Sequence, residues 1–323
     1  DNQVKMRSDI MSNIFSQIKV KRVNFSNRIV MAPMVHFGYK NKNGNMEEKL
    51  LNTYLNYADK GMGLIISQAL LVADKKEIVG DVSNWAGIYS NEHIEYLRKI
   101  SDTYHKYGTK FIAQLNTLNF KFLEKNSNDI NKLSKEDLIY LRDCFIKSAK
   151  FCREAGLDGI ELHGAHTYFF NMLSSEISNK REDNYGGNLI ERLNLVKEII
   201  EAIKSFSKDD FIISYRMGWT ENIDIDTDIE TAKALEKLGI DILHVSSGIP
   251  EDRKLKLPNE FEYNDFVYTG IQVKKNVNIP VIVVNDIKTL SRGNKLIEDG
   301  DCDFVAYGRP FLSDPNFVIH SLK

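Results

Sequence analysis

Short, continuous apolar runs alternate along this chain with longer amphipathic stretches. Eight of the runs have the length and composition of strands: Arg28–Ala32, Leu64–Ser67, Phe111–Leu115, Ile160–His163, Phe211–Arg216, Ile242–Val245, Val281–Val284 and Phe304–Tyr307. Near-unbroken apolar character, rather than strict alternation, is expected of parallel strands covered on both faces. Between them the spacing predicts helices at Glu48–Lys60, His93–Tyr107, Lys135–Ala155, Ile190–Ser205, Asp228–Leu238, Tyr263–Lys275 and Leu290–Glu298. Several stop at glycine, as in Lys60-Gly61, Ala155-Gly156, Leu238-Gly239 and Asp299-Gly300, where a left-handed residue ends a helix at low steric cost. Eight strands with seven helices between them are the tally of a (β/α)8 TIM barrel, an α/β fold, whose last helix is short. The domain is expected to span 13–323 after a polar extension, 1–12. A doubly wound sheet is the alternative, but no strand leads into GxGxxG.

A barrel has a functional consequence. Its active site is built at the C-terminal ends of the strands, so polar residues there converge however distant in sequence. Strand one delivers Pro33-Met34-Val35, strand two Ser67-Gln68-Ala69, strand three Gln114 and Asn116, and strand four His163 and His166. Strand five brings Arg216, strand six Ser246-Ser247-Gly248, strand seven Asn285-Asp286 and strand eight Gly308-Arg309. Loops after strands seven and eight commonly hold phosphate through backbone N–H groups. There, Gly308 permits close backbone approach and Arg309 offers a fork of donors.

Composition narrows the partners. The 323 residues carry a net charge of −2 and are 42% hydrophobic, enough for a large core and without global attraction to nucleic acid or an anionic membrane. No apolar run reaches the ~18 residues of a membrane span, and Asp1 to Ser12 lacks the apolar core of a secretion signal. Three scattered cysteines, Cys144, Cys152 and Cys302, make neither a disulfide framework nor a CxxC pair. A reducing cytoplasm and a small-molecule substrate are the expectation, with self-association left open.

The densest chemistry lies in Asp158-Gly-Ile-Glu-Leu-His-Gly-Ala-His-Thr-Tyr168. A lone histidine is more often a satisfied core residue than a catalytic one. Here His163, His166 and Tyr168 fall within six residues at a strand end. Two imidazoles can donate N–H bonds to one electron-rich oxygen while a phenol delivers a proton nearby.

His163-Gly-Ala-His-Thr-Tyr168, with Leu173-Ser174, Ser178-Asn-Lys-Arg181, Asp183-Asn-Tyr-Gly-Gly187 and Glu191-Arg192, resembles the active-site segment of the old yellow enzyme family of FMN-dependent ene-reductases. Matching elements run from Asn27 to Val318. The resemblance implies FMN, with NADH or NADPH as reductant. It implies that Ala32-Pro33-Met34 runs beside the flavin ring, Ala69 fills a small-residue position and Gln114 bonds the pyrimidine edge. Arg216 would lie near flavin N1 and O2, where a fixed guanidinium stabilises the charge of reduced flavin. Ser247, Asn285 and Asp286, placed by their strand ends, complete the expected cofactor set with Gly308 and Arg309, whose run Val305–Pro315 resembles the family's terminal FMN-phosphate segment. Phe37, Asn116, His163, His166 and Tyr168 form the implied substrate side.

This sequence departs from the family pattern at four places, one of them the Leu115-Asn-Thr-Leu-Asn-Phe120 run, which lacks the family's common His-Ala-Gly-Arg after the glutamine. Val35 stands where Thr or Cys usually hydrogen-bonds flavin O4, and Phe37 where one branch has a substrate-side tyrosine. Asn285-Asp286 replaces a pair of glycines after strand seven, although Asn tolerates left-handed backbone. The cysteine cluster of the long dienoyl-CoA reductase branch is not within the sequence, so no iron–sulfur site is expected in it. The expected activity is reduction of the activated C=C bond of an α,β-unsaturated carbonyl compound, with hydride from flavin N5 and a proton from Tyr168. The alternatives are a dienoyl-CoA, steroid-enone or nitro reductase, an NADH oxidase, or a non-catalytic FMN-binding sensor.

Overall fold

The computed structural model describes residues 13–78, 80–117, 129–219, 224–246 and 255–323. Eight parallel strands form the barrel: β1 (Ile29–Met31), β2 (Leu64–Ile66), β3 (Lys110–Asn116), β4 (Gly159–Gly164), β5 (Ile212–Met217), β6 (Ile242–Val245), β7 (Val281–Val284) and β8 (Phe304–Tyr307). Each pairs with its neighbours in sequence, β8 pairs with β1, and the β2–β3 pairing closes the ring. The last three strands have the bounds that the apolar runs predict; β2 differs by one residue at one end and the other four by one residue at both ends.

Among the described residues, seven principal helices cover the outside: α1 (Glu48–Asn56), α2 (Ile94–His105), α3 (Lys135–Glu154), α4 (Asn194–Phe206), α5 (Ile225–Leu238), α6 (Asp265–Asn276) and α7 (Leu290–Glu298). The helix expected at Ile190–Ser205 divides at Leu193 into a short Asn188-capped turn, Leu189–Arg192, and α4. After β8 only the short helices Arg309–Ser313 and Phe317–His320 follow. Gly61, Gly156, Gly239 and Gly300 all hold positive φ, so the helix-stop reading of those glycines matches the backbone.

Two devices at the N-terminal end of the barrel fix its register. A hairpin, Ile18–Val20 with Val23–Phe25, inserts beneath the strands. Its Val20, Val23 and Phe25 pack with Val30, Leu64, Ile112, Ile212, Ile242, Ile282 and Phe304, one side chain from each of seven strands. Phe25 meets Phe304 edge to face with centroids 5.2 Å apart, the favoured geometry for two quadrupoles. The second device repeats around the ring. Asp158, Asp241 and Asp303 each precede a strand, and their carboxylates accept the N–H of Phe111, Ile213 and Val281 on the preceding strand, all at 2.8 Å. Hydrogen bonds to an ionised acceptor are the stronger kind, so each carboxylate pins one strand start to the next.

Candidate active site

Because side chains alternate along a strand, the residues two and four places beyond the apolar floor point into the same interior. On β3 these are Gln114 and Asn116, on β4 Glu161 and His163, and on β5 Ser214 and Arg216. On β6 His244 follows the floor residue, and Ser246 stands just past the strand end. The pairing sets Gln114 beside Glu161, Glu161 beside Ser214, and His163 beside Arg216, itself beside His244. A polar wall thus rises above the hydrophobic plug on one side of the barrel.

Its hub is Glu161, fully buried. The carboxylate accepts from Gln114 Nε2 at 2.9 Å, Ser214 Oγ at 3.0 Å and His244 Nδ1 at 3.0 Å. Burial opposes its ionisation, but His244 and Arg216 outweigh that cost and hold the carboxyl below its ordinary pKa. Burial, together with the fixed charge of Arg216, pushes the imidazole of His244 down against the opposing pull of Glu161. The ionised carboxylate can only accept, so the proton shared by the pair sits on His244 Nδ1. The guanidinium of Arg216 is lowered by burial to about 10 and remains charged at neutral pH.

Above this hub, Arg216 Nη2 donates to Ser246 Oγ at 2.8 Å, and Ser246 Oγ lies 3.0 Å from His166 Nε2. His166 Nδ1 lies 3.1 Å from His163 Nε2. The two imidazoles expected to share one external oxygen therefore bond each other here, and His166 also leans on Ser246. His163 is pushed well below the ordinary range by burial, the other imidazole and Arg216; His166 is pushed down to about 3 by burial, Arg216 and His244. Both are neutral donor–acceptor groups at physiological pH. Tyr168, its ring 4.7 Å from that of His163, has its phenol raised by burial and keeps its proton. His166 and Thr167 both adopt φ of 60°, a left-handed conformation costly for non-glycine residues and characteristic of functional loops. Gly164 ends β4 against the Tyr215 ring, where a Cβ would sit 2.1 Å from it.

Beside the wall opens a cavity of about 790 Å³ lined by Ala32, Pro33, Met34, Arg216, Ser246, Asn285, Asp286, Gly308 and Arg309, among others. Eight residues expected around a flavin thus converge: Ala32, Pro33, Met34, Arg216, Asn285, Asp286, Gly308 and Arg309. Asn285 and Asp286 adopt φ of 101° and 54°, so the loop after β7 keeps left-handed geometry without glycine. The Asp286 carboxylate faces Arg309 Nη2 at 3.3 Å and Lys288 Nζ at 3.3 Å. Exposed pairs of this kind are worth less than about 1 kcal/mol, so a dianionic phosphate can compete for Arg309.

Not every expected residue joins them. Phe37 is 75% exposed, on a surface loop that turns at Gly38, where φ is 88°. Val35 is half-buried and Ala69 buried, and neither lines the cavity. Gln114 reaches the site through Glu161, and Asn116 ends β3 with its Oδ1 accepting from the N–H of Thr117. Ser247 lies outside the described residues; its neighbour Ser246 bonds Arg216. Glu161 and His244 escaped the sequence reading. The available signal was a polar side chain interrupting an apolar strand two residues before His163 and two before Ser246.

The residues suit a flavin mononucleotide. Asn116 Nδ2, His163 Nδ1 and Arg216 Nε are buried with no partner among the described residues, a cost of about 1–3 kcal/mol each unless a polar ligand meets them. A large cavity with a few convergent polar groups and a cation at its rim is the ordinary form of a cofactor site.

Fold and site together define an FMN-dependent oxidoreductase of the (β/α)8 barrel class, with a nicotinamide nucleotide as reductant. The chain belongs to the NADH:flavin oxidoreductase / NADH oxidase family, the old yellow enzyme family, which it matches over residues 13–321. It is 32% identical to an NADPH dehydrogenase of Listeria monocytogenes, covering 97% of this chain and 95% of that protein. It is 31% identical to an NADH oxidase of Thermoanaerobacter brockii over 94% of this chain, and spans only 50% of that relative's length. Among solved structures, an old yellow enzyme homologue from Zymomonas mobilis superposes with a TM-score of 0.77 at 21% identity, over 96% of this chain and 92% of that one. A 2-naphthoyl-CoA reductase does so with 0.79 at 20% identity, covering 94% of this chain and 51% of that one.

Proposed function

We propose that this enzyme reduces the activated C=C bond of α,β-unsaturated carbonyl compounds at the expense of NADH or NADPH. The observation that carries the reading is the contiguous set His163, His166, Tyr168, Ser246 and Arg216 beside a cavity rimmed by Gly308 and Arg309. FMN, when bound, supplies a two-electron carrier that takes hydride from the nicotinamide and gives it to the substrate's β-carbon. Ala32, Pro33, Met34, Gln114, Arg216 and the Asn285–Asp286 and Gly308–Arg309 loops are the residues assigned to hold it.

The protein's own part is electrostatic. His163 and His166, both neutral, each have one N–H to give, and a carbonyl oxygen can accept from them by displacing their mutual bond. That exchange trades one bond of about 1 kcal/mol for one whose strength grows as enolate charge develops. A group that binds the transition state better than the ground state accelerates the step. Tyr168, a neutral phenol beside His163, is the proton donor to the α-carbon. The free thiols of Cys144, Cys152 and Cys302 suit a reducing cytoplasm.

A second reading, an NADH oxidase that passes its electrons to oxygen, is favoured by the relative of that name. Anaerobic reoxidation of the reduced enzyme against enones, nitro compounds and acyl-CoA esters, with oxygen as a separate arm, decides between them. Enones reoxidising it fastest supports the proposal. Oxygen outpacing every organic acceptor would replace it with the second reading.

A further inference from the structure

The roles above leave Glu161 and His244 unused, although both are fully buried at the centre of the polar wall. A carboxylate has no proton to give, so each neighbour must turn a donor towards it. For Gln114 this settles which way the amide points. Nε2 faces Glu161 Oε1 at 2.9 Å, and the carbonyl Oε1 with the second N–H are directed elsewhere. An amide free to flip would present either polarity. For His244 a proton sits on Nδ1 at 3.0 Å from Glu161 Oε2, and Nε2 is buried with no partner among the described residues. Ser214 Oγ closes the carboxylate's shell at 3.0 Å. In the same wall Arg216, paired in register with His163 and His244, carries the site's buried positive charge.

We propose that Glu161 is a positioning and charge-setting residue for the flavin. It clamps the Gln114 amide in one orientation towards the cofactor's pyrimidine edge, and its negative charge offsets that of Arg216, so the bound flavin is harder to reduce than Arg216 alone would make it. This rests on the FMN reading of the site and deepens it. The clamp is a matter of reach and the offset a matter of charge, so two substitutions separate them. Glu161→Gln keeps the reach and removes the charge. Its amide can still be satisfied, because the Ser214 hydroxyl can rotate and His244 can exchange tautomers. Glu161→Asp keeps the charge and withdraws it by one methylene, out of contact with Gln114.

The experiment measures the two-electron midpoint potential and the dissociation constant of oxidised FMN for the parent holoenzyme and both variants. Glu161→Gln should favour reduced over oxidised flavin about tenfold more than the parent does, an upward shift of about 30 mV. Glu161→Asp should leave the potential within threefold of the parent on the same scale, but raise the dissociation constant for oxidised FMN about tenfold. A merely structural role for Glu161 would weaken FMN in both variants without splitting the two readouts in this way. An unchanged or lowered potential in FMN-loaded Glu161→Gln overturns the charge-setting role. Parent-like FMN affinity in Glu161→Asp overturns the clamp. A parent protein that fails to bind FMN would instead overturn the cofactor reading itself, and this inference with it.

Discussion

The two sides of the barrel interior are built on opposite terms. On β7, β8, β1 and β2 the inward positions are apolar nearly to the top: Ile282 and Val284, Phe304 and Ala306, Val30 and Ala32, Leu64 and Ile66. On β3 to β6 the same positions turn polar one layer above the floor, with Gln114, Glu161, Ser214 and His244, then Asn116, His163 and Arg216. The apolar side is left smooth and small, Ala32 and Ala306 among the residues bordering the cavity. The polar side supplies donors and charge, and leaves Asn116 Nδ2, His163 Nδ1, Arg216 Nε and His244 Nε2 without a partner among the described residues. Stability belongs to one side and chemistry to the other. The polar side is tolerable because Glu161 satisfies three donors at once, and because a ring-wide hydrophobic plug lies beneath both.

The contrast breaks most sharply at the two imidazoles. In the double variant His163→Ala, His166→Ala, reoxidation of the reduced enzyme by an enone should slow by about 10³-fold or more, since one donor to a developing oxyanion is worth about 10²–10³. Flavin reduction by NAD(P)H should change far less, and rapid-mixing kinetics of the separate half-reactions would show it.

On the opposite side, Phe304→Ala removes the partner of Phe25 in the plug and should cost about 3–5 kcal/mol of stability. Denaturant unfolding would measure it, and the flavin potential of the folded variant should stay put. A large shift in potential would mean that the two sides are coupled.

Acid should weaken the polar side first. His163 and His166 refuse a proton in the folded state, the latter down to about 3 from an ordinary 6.5. The unfolded chain therefore binds more protons in this window, and stability rises with pH across it. For each such group it is lost as pH falls below 6.5 towards the folded value, by about 1.4 kcal/mol per pH unit. Unfolding midpoints at pH 7 and pH 5 should differ accordingly, and His166→Gln should reduce the slope.

The smallest effect lies at Val35, half-buried just beyond β1 and outside the cavity lining. Under the proposed placement of FMN, which sets residue 35 against flavin O4, Val35→Thr should raise the midpoint potential by about 30–60 mV, from a bond worth roughly 1.5–3 kcal/mol to the charged form. An unchanged value would show that residue 35 does not face the flavin.

The same contrast explains what was legible in the sequence. Buried parallel strands read as apolar runs, and Ile242–Val245, Val281–Val284 and Phe304–Tyr307 came out with the bounds the structure gives them. The clustered His163, His166 and Tyr168 stood out because three reactive groups in six residues are rare. Glu161 and His244 did not, since hydrophobic periodicity reads one polar residue in a buried strand as noise, and their meaning lies in cross-strand neighbours 83 residues apart. The hairpin at Ile18–Phe25 is too short for periodicity to mark, and its purpose is visible only against the floor it plugs. Phe37 was placed by family position, but the turn at Gly38 carries it to the surface. The mutual bond of His163 and His166 depends on the φ of 60° at His166, which no sequence pattern announces.

The account stands most directly on the division of labour beside His163. Tyr168→Phe keeps the ring that packs on His163 and removes only the hydroxyl. In stopped-flow measurements of the two half-reactions, its reoxidation by an enone should fall about 10²–10⁴-fold, the usual cost of losing a general acid, while flavin reduction by the nicotinamide stays within a few-fold of the parent. If both half-reactions slow together, or neither changes, Tyr168 is not the proton donor and the chemistry assigned to the polar side is wrong.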